Sequence, residues 1–211
     1  MIIAIDGPAG AGKSSIAKMV AKQLGFYFLN TGSFYRAFTL AQLEKGLDPL
    51  DKDSVLSTAN NVEITVKDGN ICIDGINVEP KLHTAQIDKY CSQVSVDPRL
   101  REKVNELARS FAKKMDIVTE GRDTTTVIFP NADYKFYFDA SAEIRARRRM
   151  KEQQGQADYN QILQGILQRD KNDMEKSFGA LKKAPDAIII DTSNLTMQQV
   201  CEKVINAMHR H

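Results

Sequence analysis

Residues 7–15 read Gly7-Pro8-Ala9-Gly10-Ala11-Gly12-Lys13-Ser14-Ser15, three glycines and a proline followed by a lysine and two hydroxyls. They satisfy every fixed position of Gly-x-x-x-x-Gly-Lys-Ser/Thr through Gly7, Gly12, Lys13 and Ser14. Upstream, residues 1–6 (MIIAID) form a short apolar run that ends in a carboxylate and predicts a buried strand. Downstream, Ile16, Met19, Val20 and Leu24 recur at helical spacing, and Gly25 stands where a helix stops. The glycines therefore lie between a strand and a helix, where backbone N–H groups converge on a phosphate and the helix start adds its orphan donors. Lys13 can reach the β and γ phosphates, and the Ser14 hydroxyl can take a place on Mg2+. The pattern predicts a nucleoside triphosphate site built from residues 7–15: Gly7, Pro8, Ala9, Gly10, Ala11, Gly12, Lys13, Ser14 and Ser15.

Around this segment, strand and helix patterns alternate. Residues 26–29 (FYFL), 116–120 (DIVTE), 134–138 (YKFYF) and 187–191 (AIIID) read as further strands, rich in β-branched and aromatic residues as strands covered on both faces are. A tight Asn30-Thr31-Gly32 is expected after the second strand, then a helix with Phe34, Phe38 and Leu43 inward. Leu100, Val104, Leu107, Ala108 and Phe111 form a helical stripe opened by Asp97 as cap and Pro98 at the first position. Five strands with crossover helices imply an α/β fold with a mostly parallel, doubly wound sheet, whose ligands sit beyond the carboxyl ends of the strands. Asp6, Glu120, Asp139 and Asp191 all fall at such ends. Residues 61–82 break the rhythm: alternating apolar positions with Asp68-Gly69 and Asp74-Gly75 predict a β-meander inserted between the second and third core strands.

Composition narrows the class. At 211 residues the chain can build one core with a small inserted lobe. Lys plus Arg is 29 against 27 Asp plus Glu, so the net charge of +2 supplies no global attraction to nucleic acid. Cys72, Cys91 and Cys201 lie far apart without metal-ligand spacing, which fits small buried apolar residues in a reducing cytosol. No apolar run reaches the roughly 18 residues that a membrane span needs. A cytoplasmic protein is expected.

The acceptor decides among phosphate-loop proteins. A guanine-reading Asn-Lys-x-Asp is absent, since Lys114-Met115-Asp116 is preceded by Lys113. Arginines cluster near the expected rim instead: Arg36, Arg122, the run Arg145, Arg147, Arg148 and Arg149, and Arg169. Phosphoryl transfer needs positioning and neutralisation of spreading negative charge, which guanidinium groups supply. Run 145–149 also reads as an ordinary solvated helix face. His83, His209 and His211 are the only histidines and none stands in a rim motif. A hydroxyl acceptor needs a base, whereas a phosphate acceptor arrives ionised, so the residues favour a nucleoside monophosphate kinase. A kinase of a small acid or alcohol remains open, as does an ATP-dependent RNA-binding protein using residues 145–151.

Taken in order, IDGPAGAGKSS, NTGSFYR, SQVSVDPRLRE, EGRDTTTVIFPNAD, FYFDAS and RARRRM resemble bacterial cytidylate kinase over nearly the whole chain. The resemblance implies an adenylate-kinase-like P-loop core with a five-stranded parallel sheet, a β-meander in a monophosphate-binding lobe, and a helical lid. The whole would be one domain, with core residues 1–30, 83–145 and 180–211, a lobe at about 31–82 and a lid at about 146–179. It implies transfer of the γ-phosphoryl group of ATP to CMP or dCMP with Mg2+ at Ser14, by a monomer without nucleic-acid or membrane partners. By the same resemblance CMP is bound by Thr31, Tyr35, Arg36, Ser92, Arg101, Arg122, Asp123, Arg169, Asp173 and Lys176. Ser92, Arg101 and Asp123 match its cytosine readers, and Asp123 can accept from the exocyclic amine that uracil lacks. Lys176 stands where relatives carry arginine, keeping the charge but losing the planar fork. Lys13, Arg122 and one or more lid arginines, from Arg145 and Arg149, are the expected neutralisers of the moving phosphoryl group.

Overall fold

The computed structural model describes residues 1–67, 69–152 and 158–208, which group into two compact units, Met1–Leu29 with Ala112–His211, and Asn30–Phe111. In the first unit, β1 (Ile2–Asp6) leads through the glycine-rich loop into α1 (Lys13–Leu24) and β2 (Tyr27–Leu29). Gly25 ends α1 at φ 71°, as its position predicts.

The second unit holds α2 (Thr31–Glu44), α3 (Lys52–Asn61), the antiparallel strands β3 (Ile64–Lys67), β4 (Asn70–Ile73) and β5 (Ile76–Asn77), then α4 (Ala85–Val94) and α5 (Pro98–Ala112). Asn30-Thr31-Gly32 is not a free-standing turn. Asn30 is the cap of α2, its side chain accepting from the Gly32 amide at 3.0 Å, so Thr31 and Gly32 already belong to the helix. The meander forms as expected. Ile73 pairs with Ile76 across Asp74 and Gly75, at φ 49° and 81°, the positive pair that a two-residue hairpin with right-handed strand twist demands. The expected Asp68-Gly69 turn includes Asp68, which lies outside the described residues. Asp97 caps α5 through the Arg99 amide at 2.9 Å, and the predicted stripe buries Leu100, Val104, Ala108 and Phe111. Phe111 stacks on Phe34 with centroids 5.5 Å apart, so truncating either ring would cost about 3–5 kcal/mol.

The chain then returns to the first unit with β6 (Ile117–Gly121), a π-helical turn (Thr124–Ile128), β7 (Tyr134–Asp139), α6 (Ala142–Glu152), α7 (Tyr159–Glu175), β8 (Ile188–Asp191) and α8 (Met197–Met208). The five long-range strands form one parallel sheet in the order β2-β6-β1-β7-β8. Ile3, Ala4, Ile5, Ile117, Val118, Phe136 and Phe138 are wholly buried, which is why β1, β6 and β7 read as continuous apolar runs. On one face Ile16, Ala17, Val20 and Ala21 of α1 join Val200, Cys201 and Val204 of α8 in the core cluster. The carboxyl ends of β1 and β6 lie in register, Asp6 opposite Gly121, and this edge positions the candidate site.

Candidate functional site

The loop between β1 and α1 turns back on itself, the Ala11 amide reaching Pro8 O and the Ile16 amide reaching Gly12 O at 3.1 Å. Gly7 tolerates no other residue: at φ 149°, a Cβ there would lie 2.2 Å from the carbonyl oxygen of Phe138 on β7. Lys13, the first residue of α1, is 5% exposed and donates from Nζ to Pro8 O at 2.8 Å. Burial pushes its ammonium down to about 7. Arg122 and Arg169 lower it further, while Glu120 and Asp6 oppose them, so these five charged groups share one electrostatic neighbourhood. Ser14 donates from Oγ to Glu120 Oε1 at 2.6 Å, bringing a hydroxyl and a carboxylate together at the start of α1. Such oxygen donors suit a hard cation like Mg2+.

Arg122 follows β6 and donates from Nε to Asp173 Oδ2 on α7 at 2.7 Å, while Lys176 Nζ donates to the other oxygen, Oδ1, at 2.5 Å. Asp173 is buried; burial alone would raise its pKa, but the hydrogen bonds from Lys176 and Arg122 hold the carboxyl below its ordinary value. Three residues expected to bind the acceptor, Arg122, Asp173 and Lys176, are therefore one ion-paired group. Asp123, next in the chain, is 5% exposed, and its carbonyl accepts from the amides of Val127 and Ile128 at 2.8 and 3.2 Å.

The basic run on α6 divides by depth. Arg145 is 4% exposed; its guanidinium donates to Ala140 O, to Ala9 O of the phosphate loop and to both oxygens of Asp170 on α7, at 2.6–3.1 Å. Its fork is occupied by protein acceptors. Arg148 donates to the carbonyls of Thr192 and Ser193. Arg149 is exposed and lines two cavities. One, of about 600 Å³, runs along residues 10–16 to Thr192, Leu195, Met197 and Val200, with the size and the mixture of apolar and polar or basic lining residues that suit a nucleotide. The other, of about 190 Å³, is lined by Ala9, Arg149, Ile162, Gly165, Ile166 and Arg169. The lid expected at about 146–179 includes residues 153–157, outside the described residues.

The remaining expected residues belong to the second unit. Thr31 opens α2, one turn ahead of Tyr35 and Arg36; Tyr35 is buried, and Arg36 donates to Leu82 O at 2.9 Å and to Asp88 Oδ1 at 2.5 Å. Ser92 is exposed on α4, its carbonyl accepting from Ser95 Oγ at 2.9 Å, and half-buried Arg101 lies on the first turn of α5.

The sequence places Asp6, Glu120 and Arg148 near the rim without giving any of them a partner, and gives no role to Asp170 or Thr192. The strand-end positions of the two carboxylates were the available signal. Nothing local distinguished Asp170 from the other charges of its helix.

Among the described residues no helix is long and apolar enough to cross a membrane. The family model for cytidylate kinase matches residues 3–210. Cytidylate kinase of Clostridium botulinum (strain Langeland) is 38% identical over 211 residues, covering 99% of this chain and 97% of that one. The enzyme of the same name from Caldicellulosiruptor bescii is 38% identical over 215 residues, covering 99% and 95%. Among solved structures, an uncharacterized protein from Eubacterium ventriosum shares the fold with a TM-score of 0.57 at 13% identity, covering 100% of this chain and 99% of that one. With a family match running from the first strand to the last helix, the chain belongs to the cytidylate kinase family.

Proposed function

We propose that this chain transfers the γ-phosphoryl group of ATP to CMP or dCMP, giving ADP and CDP or dCDP. The observation that carries the reading is the match to cytidylate kinases across residues 3–210. The site geometry is consistent with it: a phosphate loop opens on a nucleotide-sized cavity, with Arg122 and Arg169 close enough to Lys13 to shift its protonation.

In this reading residues 7–15 hold the ATP phosphates, and Lys13 and Arg122 draw charge from the phosphoryl group as it moves. Arg149, exposed beside both cavities, is the lid arginine available to do the same, whereas Arg145 anchors the lid helices. Ser14, with Glu120 behind it, would hold Mg2+, which supplies charge neutralisation across the donor phosphates. Thr31, Tyr35, Arg36, Ser92, Arg101, Arg122, Asp123, Arg169, Asp173 and Lys176 bind the acceptor, Asp123 accepting from the cytosine amine. No general base is needed, because the acceptor phosphate is already ionised at neutral pH. The protein acts as a cytoplasmic monomer.

The test is ADP release from Mg-ATP with CMP, dCMP, UMP, AMP or no acceptor, side by side. Turnover with CMP and dCMP far above the rest is expected. Acceptor-independent hydrolysis, or silence with every monophosphate, would overturn the reading. Asp123→Ala should erode the preference for CMP over UMP, and an unchanged ratio would remove Asp123 as the amine reader.

A further inference from the structure

Asp6, the last residue of β1, is fully buried and carries a carboxylate that the transfer chemistry does not use. Its two oxygens take three donors from one short segment. Oδ1 accepts from the Thr124 amide at 3.0 Å, and Oδ2 accepts from the Thr125 amide and the Thr125 hydroxyl, both at 2.6 Å. Burial raises its pKa, and the Thr125 and Thr124 donors act against that rise.

Both flanks of this contact are sterically fixed. The next residue, Gly7, is pressed against Phe138 so closely that it admits no side chain. Across the sheet, Gly121 pairs with Asp6 in register, and a Cβ on it would lie 2.3 Å from Thr124 Oγ1 and 3.7 Å from Asp6 Oδ1. Arg122 and Asp123 are thus the only two residues between Gly121, held by the sheet, and Thr124, held by Asp6. A two-residue bridge anchored at both ends has little freedom, and a displacement of about 1 Å in a positioning group is enough to lower turnover about a hundredfold.

We propose that Asp6 is a positioning residue that ties the phosphate loop to the Arg122-Asp123 bridge, so that donor and acceptor recognition share one rigid mount. The inference rests on the proposed function in taking Arg122 and Asp123 as acceptor-binding groups. Its structural half, the tie itself, does not. A carboxylate suits the position because it accepts from every direction. An asparagine of the same shape would turn an NH2 toward an N–H or hydroxyl donor, leaving at least one buried donor unpaired.

Asp6→Asn tests this with two readouts. In the unaltered protein the amides of Thr124 and Thr125 should exchange hydrogen slowly. In Asp6→Asn they should exchange at least about tenfold faster while those of Ile117 and Val118 stay protected. In steady-state kinetics KM for CMP should rise about tenfold, and the CMP to UMP ratio of kcat/KM should fall, with KM for ATP moving less. A merely structural role would lower the folded fraction or Tm without changing either KM or the ratio, and that result would overturn the proposal. Thr125→Val removes only the hydroxyl donor and serves if Asp6→Asn fails to fold. It should shift KM for CMP and the ratio the same way by about twofold to fivefold, and unchanged values would again overturn the proposal. Fast amide exchange in the unaltered protein would overturn the tie outright. Absence of CMP turnover there would overturn the acceptor reading instead, leaving the exchange measurement to decide the tie.

Discussion

Raising the pH from 6 to 9 should weaken ATP binding through the loss of the proton on Lys13. Its ammonium, buried and pushed down to about 7, is protonated in only about half of the molecules at pH 7 and in about a tenth at pH 8. Nucleotide phosphates replace the weak Pro8 carbonyl acceptor with several negative charges, and the amine must be protonated to meet them. Each binding event above pH 7 therefore takes a proton from solution. The apparent Kd should be nearly flat below pH 7 and climb toward tenfold per pH unit above it. Between pH 6 and pH 9 the rise is on the order of a hundredfold, or roughly 3 kcal/mol. Titration calorimetry in two buffers of different ionisation enthalpy measures the uptake directly, expected at about half a proton per ATP at pH 7 and about 0.9 at pH 8. Lys13→Met, which cannot take the proton, supplies the subtraction for the titration of the nucleotide itself. Uptake near zero at pH 8, or equal uptake in Lys13→Met, would refute the reasoning.

Arg145→Ala should leave Asp170 as a buried unpaired carboxylate and lower stability by about 3–5 kcal/mol, a fall of roughly 6–20 °C in Tm by scanning calorimetry. Arg149→Ala, at an exposed position, should leave Tm unchanged while kcat falls about a hundredfold or more. Asp173→Asn should release Arg122 and Lys176 from their shared partner and raise KM for CMP about tenfold, with a smaller change in KM for ATP by steady-state kinetics. Ser14→Ala should shift the half-saturating Mg2+ concentration upward at fixed ATP while leaving the thermal midpoint of the apoprotein in place.

The sheet and the phosphate loop were legible because their signals are local. Fully covered strands must be apolar throughout, and the glycines at 7, 10 and 12 stand where positive φ is required. The inserted meander was legible for the same reason, its Asp74-Gly75 turn being written in the two residues that form it. Asn30 was harder, because the same side chain suits a turn or a helix cap, and only the burial of Phe34 and Phe38 beyond it settles which. In the site, residue types were readable but their partners were not. RARRRM looks uniform as text, yet the fold buries Arg145 against a carboxylate 25 positions away and leaves Arg149 in solvent. Glu120 and Ser14 are 106 residues apart and meet only because α1 starts beside the end of β6. The acceptor residues of the second unit rest on the resemblance, since no spacing rule joins Thr31 to Ser92 or Arg101.

Arg145 also constrains ancestry. One guanidinium joins residue 9 of the phosphate loop, residue 140 beyond β7 and Asp170 on α7, so neither member of the Arg145–Asp170 pair can drift alone without stranding a charge in the interior. Replacements at the two positions should be inherited jointly among relatives. A chimera that borrows α7 from a cousin lacking the acid would need that cousin's residue at 145 as well, and this makes the pair a natural seam for recombination to respect.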